Sequence, residues 1–507
     1  MSRFRVSSSQ SGKVLSRSAT LGWMLNPFKR LALALARTKL DSTKLDPDVK
    51  NPLEEWIKIK VAAESRADND LRKVIGKPRP AQVDARMLRE YQLHMFRKQM
   101  RYTGENAPFY QRRWKETGLR PEDVRTYDDL CKVPLTEPKD LADSPFEFLC
   151  VSQTKVMRAF STSGTSGMRK RLFYTRDDIL NTVDPIAAAL KNVGMRKDDT
   201  LQIMFPTIAA WDPGLVLEGA CQVAGLKAVN CSSIDVDEQL KIIRERRTTM
   251  MIGLTSFIHR LTILARDKVD LRAFGIKALI LSAEPLPEVM RRELQEAWGC
   301  KALSQYGMTE MGLATTIECV EQDGLHINEA GFLAEVIDPE TGEHVEERKD
   351  GELIWTSLMF EGSPLLRYRS YDISSPISPP CGCGFAASGK IGKVKGRLDM
   401  QTKVGFGEKI FPALFDEAVL SVSGVLGYHL VIEKDGYHDK LRFAVEYMGD
   451  AKEGKKGVEE AIHSLDEIKS GFENDLLSPI EVTILPPDQK GWIPKTRTIE
   501  DRRGQYS

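Results

Sequence analysis

The chain has 507 residues, of which 41% are hydrophobic and 29% are charged, and its formal net charge is +1. This length excludes a single ordinary domain and predicts two or three, while the near-neutral charge gives no general case for binding nucleic acid. No apolar run is long enough to span a membrane, and the eight cysteines are too sparse for a disulfide framework, so a reducing, cytoplasmic compartment is expected.

The first 40 residues are basic and contain no Asp or Glu. From Trp23 to Arg37 the sequence suits a short basic amphipathic helix. Three interpretations stay open: a disordered or loosely docked tail, a membrane-surface helix, or an organellar transit segment. Residues 1–80 are therefore assigned to an N-terminal extension, partly disordered or helical. It ends at the Pro- and Gly-rich stretch from Gly76 to Pro80.

A Ser- and Gly-rich stretch runs from Ser161 to Lys170. Glycines let the backbone bring its N–H groups close to an anion, and hydroxyls add donors. A solvated linker is the alternative, but a β-prone run over 171–175 follows and favours a hairpin bend that presents phosphate donors. The pattern is not a Walker loop. The residues offered by the loop are Ser161, Thr162, Ser163, Gly164, Thr165, Ser166, Gly167, Arg169 and Lys170.

Predicted strands and helices alternate between residues 200 and 305. This alternation indicates a parallel sheet covered by helices, in which ligands bind beyond the carboxyl ends of the strands. The predicted strands are 201–205, 226–230, 250–254, 277–282 and 301–305, and the predicted helices are 214–223, 236–246, 256–265 and 287–298.

After residue 330 the pattern becomes β-rich, with strands over 332–337 and 352–356 around a predicted hairpin turn at 339–342. The chain from 397 to 507 has the size of a separate small domain. We therefore predict an α/β fold. Its large N-terminal body, residues 81–396, has parallel and mixed sheets, covering helices and a β-rich subdomain, and a small mobile α+β domain follows over 397–507.

Two motifs bring nucleotide chemistry to predicted strand ends. Tyr306 to Glu310 offers a ring for stacking, a hydroxyl at Thr309 and a carboxylate suited to Mg²⁺ at Glu310. In the run from Arg367 to Asp372, the carboxylate of Asp372 can accept hydrogen bonds from both hydroxyls of a ribose. Taken singly, the first motif can be a simple strand end and the second a surface ion-pair run.

Further motifs follow in order: Gly396 to Asp399, Phe406 to Ile410, and Pro494 to Arg497. With Glu284 in Ser282-Ala283-Glu284-Pro285, Gly324 to Ile327, and the ending from Lys495 to Asp501, this series resembles the adenylate-forming (AMP-binding) enzymes. Within that superfamily the chain most resembles the phenylacetate–coenzyme A ligases, from about residue 86 to 503.

The resemblance implies an ATP-dependent carboxylic acid–coenzyme A ligase, with Mg²⁺ and coenzyme A, that forms an acyl-adenylate and then a thioester. It implies that the loop binds the β- and γ-phosphates, Asp372 and Arg397 bind the ribose, and Lys495 bridges the carboxylate and the α-phosphate. Asp399 would be the hinge of the C-terminal domain, and Gly407 would line the path of the thiol. The implied catalytic residues are Thr309, Glu310 (also the Mg²⁺ ligand) and Lys495, and the further nucleotide-binding positions are Glu284, Tyr306 and Gly307.

Four departures from the family pattern keep alternatives open. Arg169 replaces a proline of the phosphate loop, Ser370-Tyr371 replaces Thr-Gly, Phe406 replaces an arginine, and Pro494 replaces a glycine. They are compatible with another acceptor, such as a carrier-protein thiol or an amine, or with a nucleotide-binding protein that has lost turnover; the presence of Lys495 argues against the latter. The candidate acid pocket, which mildly favours an aryl or medium-sized acyl group, consists of Phe205, Trp211, Phe257, Ser282 and Ala283.

Cys381-Gly382-Cys383 is a close cysteine pair, and Cys319 and His326 lie upstream with six residues between them. These four soft ligands are enough for a closed tetrahedral zinc site, and the resemblance supports zinc. A loop with unpaired thiols, or a redox pair, is the alternative, because Cys-x-Cys is less diagnostic than paired Cys-x-x-Cys motifs.

Overall fold

The computed structural model describes residues 40–46, 48–162, 169–205, 213–313, 315–398, 402–404, 408–410, 412–488 and 497–503. Within these ranges, no helix combines the length and the apolar character needed to cross a membrane.

Several helices begin where a side chain caps the first turn. Thr175 accepts a hydrogen bond from the backbone N–H of Asp178, and Asp235 accepts one from Glu238. Such caps satisfy N–H groups that have no partner within the helix. The helices are α1 (Pro52–Ala67), α2 (Asn69–Ile75), α3 (Ala85–Asn106), α4 (Pro108–Thr117), α5 (Pro138–Asp143), α6 (Arg176–Asn192), α7 (Pro213–Val223), α8 (Val236–Arg246), α9 (Thr255–Arg266), α10 (Glu288–Trp298), α11 (Pro412–Val419), α12 (Ala451–His463) and α13 (Asp466–Glu473).

A two-stranded hairpin precedes the central sheet, formed by β1 (Arg158–Thr162) and β2 (Lys170–Tyr174), which pair antiparallel. The central sheet has five parallel strands in the order β4-β3-β5-β6-β7. Its strands β3, β5 and β6 are buried at every position, which explains why they appear in the sequence as continuous apolar runs. This sheet confirms the predicted alternation; its strands are β3 (Thr200–Met204), β4 (Lys227–Asn230), β5 (Met250–Leu254), β6 (Ala278–Ser282) and β7 (Lys301–Gln305).

Two four-stranded sheets form the β-rich region. One has the order β10-β11-β12-β15 and the other the order β13-β14-β9-β8, and all their pairings are antiparallel. A further hairpin, β16–β17, follows. The strands are β8 (Thr316–Glu318), β9 (Leu325–Ile327), β10 (Phe332–Ile337), β11 (Gly351–Ser357), β12 (Tyr368–Ser374), β13 (Pro376–Ile377), β14 (Lys390–Ile391), β15 (Gly396–Arg397), β16 (Thr402–Val404) and β17 (Glu408–Ile410).

The C-terminal sheet has the order β20-β19-β18-β21 and is built from β18 (Val425–Asp435), β19 (His438–Tyr447), β20 (Glu481–Leu485) and β21 (Arg497–Asp501). Helix α9 of the central region contacts this sheet. Arg260 Nη1 lies 2.7 Å from Glu446 Oε2, and Leu426 packs with Ile263 and Leu264. The carboxylate of Glu417, on α11, accepts hydrogen bonds from the first backbone N–H groups of α10.

Two buried carboxylates hold helix α1 and the residues just before it against later parts of the chain. Asp184, on α6, accepts hydrogen bonds from Trp56 Nε1 and from the backbone N–H of Ser42, both at 2.8 Å. Glu54 Oε1 accepts backbone N–H groups from residues 386–388. Because both carboxylates are buried, their hydrogen bonds fix how α1 packs.

We expect Asp184→Ala to loosen α1, because it leaves Trp56 Nε1 and the Ser42 N–H buried without a partner, at a cost of about 2–4 kcal/mol. Hydrogen–deuterium exchange over residues 41–61 should rise, and the urea midpoint should fall. Asp177→Ala, on the same helix with a side chain that is 64% exposed, is the matched control. Equal behaviour of the two variants would contradict this role of Asp184.

Candidate functional site

The candidate site begins at the carboxyl ends of β6 and β7. Ser282 Oγ donates a hydrogen bond to Gln305 Oε1 at 2.5 Å, which links the two strand ends. The next residue, Ala283, has φ 66°, a left-handed conformation that is costly for a residue with a Cβ. Glu284 follows, and its Oε2 accepts the backbone N–H of Ser256 at 2.7 Å. The strained turn therefore places a carboxylate at the first turn of α9.

Tyr306 and Asp372 meet although they are 66 positions apart. The phenol of Tyr306 donates a hydrogen bond to Asp372 Oδ2 at 2.5 Å. Arg397 is the cross-strand partner of Asp372, and its Nη1 lies 4.0 Å from Asp372 Oδ1. Burial, and then the neighbouring carboxylate, raise the pKa of Tyr306 well above its usual value, so its hydroxyl stays protonated and donates. Three predicted nucleotide-binding residues thus form one group.

Glu310 lies at the centre of a second group. It is 4% exposed, and its Oε1 is 2.5 Å from Lys170 Nζ. The hydroxyl of Tyr368 lies 3.1 Å from both atoms, donating to Glu310 and accepting from Lys170. Lys170 thus joins the end of the β1–β2 hairpin to the motif after β7. The carboxylate has the hard oxygen chemistry that Mg²⁺ requires.

The turn between Tyr306 and Glu310 tolerates only a bare backbone. A Cβ placed on Gly307 would lie 1.6 Å from the carbonyl oxygen of Leu313, so this position requires glycine. The carbonyl of Thr309 accepts a hydrogen bond from Tyr174 at 2.7 Å. The turn is thereby fixed to β2, the second strand of the hairpin.

The sequence interpretation missed Tyr368 and Tyr174. Tyr368 lies four positions before Asp372 on β12, but the pairing of β12 with β11 is irregular between Arg369 and Ile373, so simple alternation does not relate the two side chains. The usable signal for Tyr368 was its place in the motif that ends at Asp372, while the role of Tyr174 depends on a contact that no local pattern reveals. Arg367, in the same motif, has a structural role: its Nη2 lies 3.0 Å from Glu335 Oε1, and both side chains are buried.

The four predicted soft ligands come together. The ligand atoms of Cys319, His326, Cys381 and Cys383 lie within 4.8 Å of one another. Cys383 Sγ is 3.3 Å from His326 Nε2, and the sulfurs of Cys319 and Cys381 are 3.9 Å apart, too far for a disulfide. Lys390 Nζ lies 3.5 Å from Cys381 Sγ. Three sulfurs and one imidazole are donors that structural zinc sites use.

Other predicted positions are divided between the described residues and those outside them. Ser161 and Thr162 end β1, where they pair with Arg171 and Lys170. Phe205 and Phe257 are buried, and Ala283 is exposed. The predicted residues that lie outside the described ranges are Ser163, Gly164, Thr165, Ser166, Gly167, Trp211, Asp399, Gly407 and Lys495.

Comparison with known proteins agrees with this geometry. The sequence model of the AMP-binding enzymes matches residues 122–360. A phenylacetate-coenzyme A ligase of Pseudomonas putida is 30% identical over 74% of this chain and 85% of its own length. One from Thermus thermophilus is 30% identical over 79% of this chain and 93% of its own length.

Among solved structures, 2-hydroxyisobutyryl-CoA ligase in its postadenylation state matches with a TM-score of 0.70 and 22% identity, over 82% of this chain and 90% of that one. This likeness confirms the fold predicted from the sequence. The chain belongs to the phenylacetate–coenzyme A ligase family of AMP-binding enzymes.

Proposed function

We propose that the chain is an ATP-dependent acid–thiol ligase that joins a carboxylic acid, of the aryl class, to coenzyme A. The observation that carries the proposal is a pair of hydrogen-bonded groups where the turn after β7 meets β12. These groups are Tyr306–Asp372–Arg397 for the ribose and Lys170–Glu310–Tyr368 for the phosphates. Family membership and the names of the curated relatives support the acid and the thiol.

In the first step, a carboxylate oxygen of the acid attacks the α-phosphorus of ATP, and the bond from that phosphorus to the β-bridging oxygen breaks. The acyl-adenylate forms and pyrophosphate leaves. In the second step, the thiol sulfur attacks the acyl carbon, its proton passes to solvent, and AMP leaves with the electron pair of the broken C–O bond. The chain's contribution is to position the nucleotide and to stabilise developing charge.

Glu310 is the residue that would hold Mg²⁺, and bound Mg²⁺ would neutralise phosphate charge. Lys170 compensates the charge of this buried carboxylate, which requires a cation beside it. If Glu310 held a divalent ion, the ammonium of Lys170 would be available to bind a phosphate oxygen. We therefore assign Lys170 to the phosphates rather than to the acid.

The test of the reaction is pyrophosphate release over a panel of carboxylic acids, with and without coenzyme A. We expect pyrophosphate release with aryl acids and a thioester only with coenzyme A.

Lys495→Ala should lower adenylate formation by roughly 100-fold, the effect of losing a positioned charge in the transition state. Thioester formation from a supplied acyl-adenylate should be largely spared. Equal losses in both half-reactions would contradict a conformational change that takes Lys495 away from the acyl-adenylate before the second step. A product formed with a carrier-protein thiol or an amine, and none with coenzyme A, would identify that group as the acceptor.

We expect Asp372→Ala to raise the dissociation constant of ATP by roughly 10- to 100-fold, since it removes charged acceptors from the ribose hydroxyls. Isothermal titration with ATP measures this. Asp372→Asn, which keeps an acceptor for Tyr306, separates nucleotide binding from packing. Asp350→Ala is the control, because its exposed carboxylate pairs only with Lys395 among the described residues. ATP affinity that does not change in either Asp372 variant would remove this residue from the ribose site.

We further propose that Cys319, His326, Cys381 and Cys383 bind one structural Zn²⁺. Four buried soft donors leave no open coordination position, so the ion would join β8 and β9 to the loop before β14 and would take no part in catalysis.

Replacing Cys381 and Cys383 with Ser should abolish the metal and lower the melting temperature, because a structural ion contributes folding free energy. Metal analysis of protein purified without a His-tag, followed by thermal unfolding, measures both effects. The control, Cys131→Ser with Cys300→Ser, should keep the metal. Parent protein without stoichiometric metal, together with an unaltered melting temperature in the double variant, would leave these side chains as ordinary loop and core residues.

A further inference from the structure

A second group of metal-ligating side chains lies outside the elements that carry the candidate site. Glu64 is near the end of α1, Asp68 lies between α1 and α2, and His94 is on α3. One ligand atom from each falls within 4.8 Å of the other two. All three residues precede the part of the chain that matches the sequence model of the AMP-binding enzymes.

The geometry of His94 points to an absent ligand. Its side chain is 9% exposed, and Nε2 is buried without a hydrogen-bond partner among the described residues. Yet Asp68 Oδ2 lies only 3.1 Å from that nitrogen. The oxygen is close but off the axis along which the ring nitrogen forms a bond. Two ligand atoms that each bind the same cation at about 2.1 Å lie about 3 Å apart, and neither points directly at the other.

Each carboxylate has one oxygen engaged and one remaining. Asp68 Oδ1 caps α2 by accepting the backbone N–H groups of Asp70 and Leu71, which leaves Oδ2 facing His94. Glu64 Oε1 lies 2.7 Å from Lys98 Nζ. The two carboxylates outnumber the one ammonium beside them, and this excess of acidic groups favours a cation.

We propose that Glu64, Asp68 and His94 bind a divalent transition-metal ion of the Zn²⁺ class. One imidazole nitrogen with two carboxylate oxygens suits a borderline ion, whereas Mg²⁺ and Ca²⁺ prefer an all-oxygen site. Three protein ligands leave a position for water. The ion joins α1 and the start of α2 to α3, and so fastens the N-terminal helices to the segment that follows them.

Lys98 is the cation already present, and it competes with the metal for Glu64. Loss of the ammonium should strengthen binding, whereas loss of a carboxylate should weaken it. Opposite signs from two neighbouring substitutions cannot both arise from damage to the fold.

The experiment is titration of the full chain with Zn²⁺ by equilibrium dialysis, and with Co²⁺ by visible absorption. We expect one ion per chain at this site in addition to any ion held by the cysteine cluster. Its Co²⁺ spectrum should lack the thiolate-to-metal charge-transfer band that cysteine ligands produce.

Asp68→Asn, which preserves the cap on α2 because Asn caps as well as Asp, should weaken binding at least 10-fold. Glu64→Gln should do the same, and Lys98→Ala should tighten binding several-fold. Glu90→Gln, the same charge change elsewhere on α3, is the control and should leave affinity unchanged. Absence of an ion with oxygen and nitrogen ligands, or equal affinity of Asp68→Asn and Glu90→Gln, would overturn the proposal. Failure of the zinc proposal for the cysteine cluster would change only the total stoichiometry.

Discussion

The buried pair of Lys170 and Glu310 is the interaction on which the candidate site depends. The Glu310 side chain is only 4% exposed, and an ionised carboxylate that has lost its hydration is stable only beside a compensating charge. Lys170 supplies that charge from the end of the hairpin, and Tyr368 bridges the two from β12. One ion pair thus joins three elements that are distant in sequence, the hairpin, the turn after β7 and the β-rich sheet. The ammonium of Lys170 can therefore leave Glu310 only when another cation takes its place.

Local pattern was sufficient for much of the fold. The strands over 250–254 and 301–305 and the helix over 236–246 begin and end where apolar periodicity predicted, because buried parallel strands are continuous apolar runs and surface helices keep one apolar face. The family resemblance, carried by motifs such as 306–310 and 367–372, is confirmed by the relatives.

What could not be predicted depends on contacts between distant positions. The hydrogen bond from Trp56 to Asp184 spans 128 positions, and Asp184 occurs in a helix whose sequence gives no sign of a buried carboxylate. Spacing identified Cys319 with His326 and Cys381 with Cys383 as two pairs, but only the folded chain brings the pairs together. Tyr368 was within reach of sequence reasoning because it lies in the motif that ends at Asp372, but its role follows from hydrogen bonds with Lys170 and Glu310, which are distant in the sequence.

The carboxylate of Glu54 has a consequence for the order of events during synthesis. Its partners are the backbone N–H groups of residues 386–388, the first of which is 332 positions later in the chain. At about 5–20 residues per second, the ribosome delivers them roughly 20–60 s after Glu54. Throughout that interval the Glu54 carboxylate lacks these partners, although Asp184 of α6, the partner of Trp56, is made much earlier. Helix α1 can therefore pack on α6 early, but its buried carboxylate gains these hydrogen-bond donors only when about three quarters of the chain has been made.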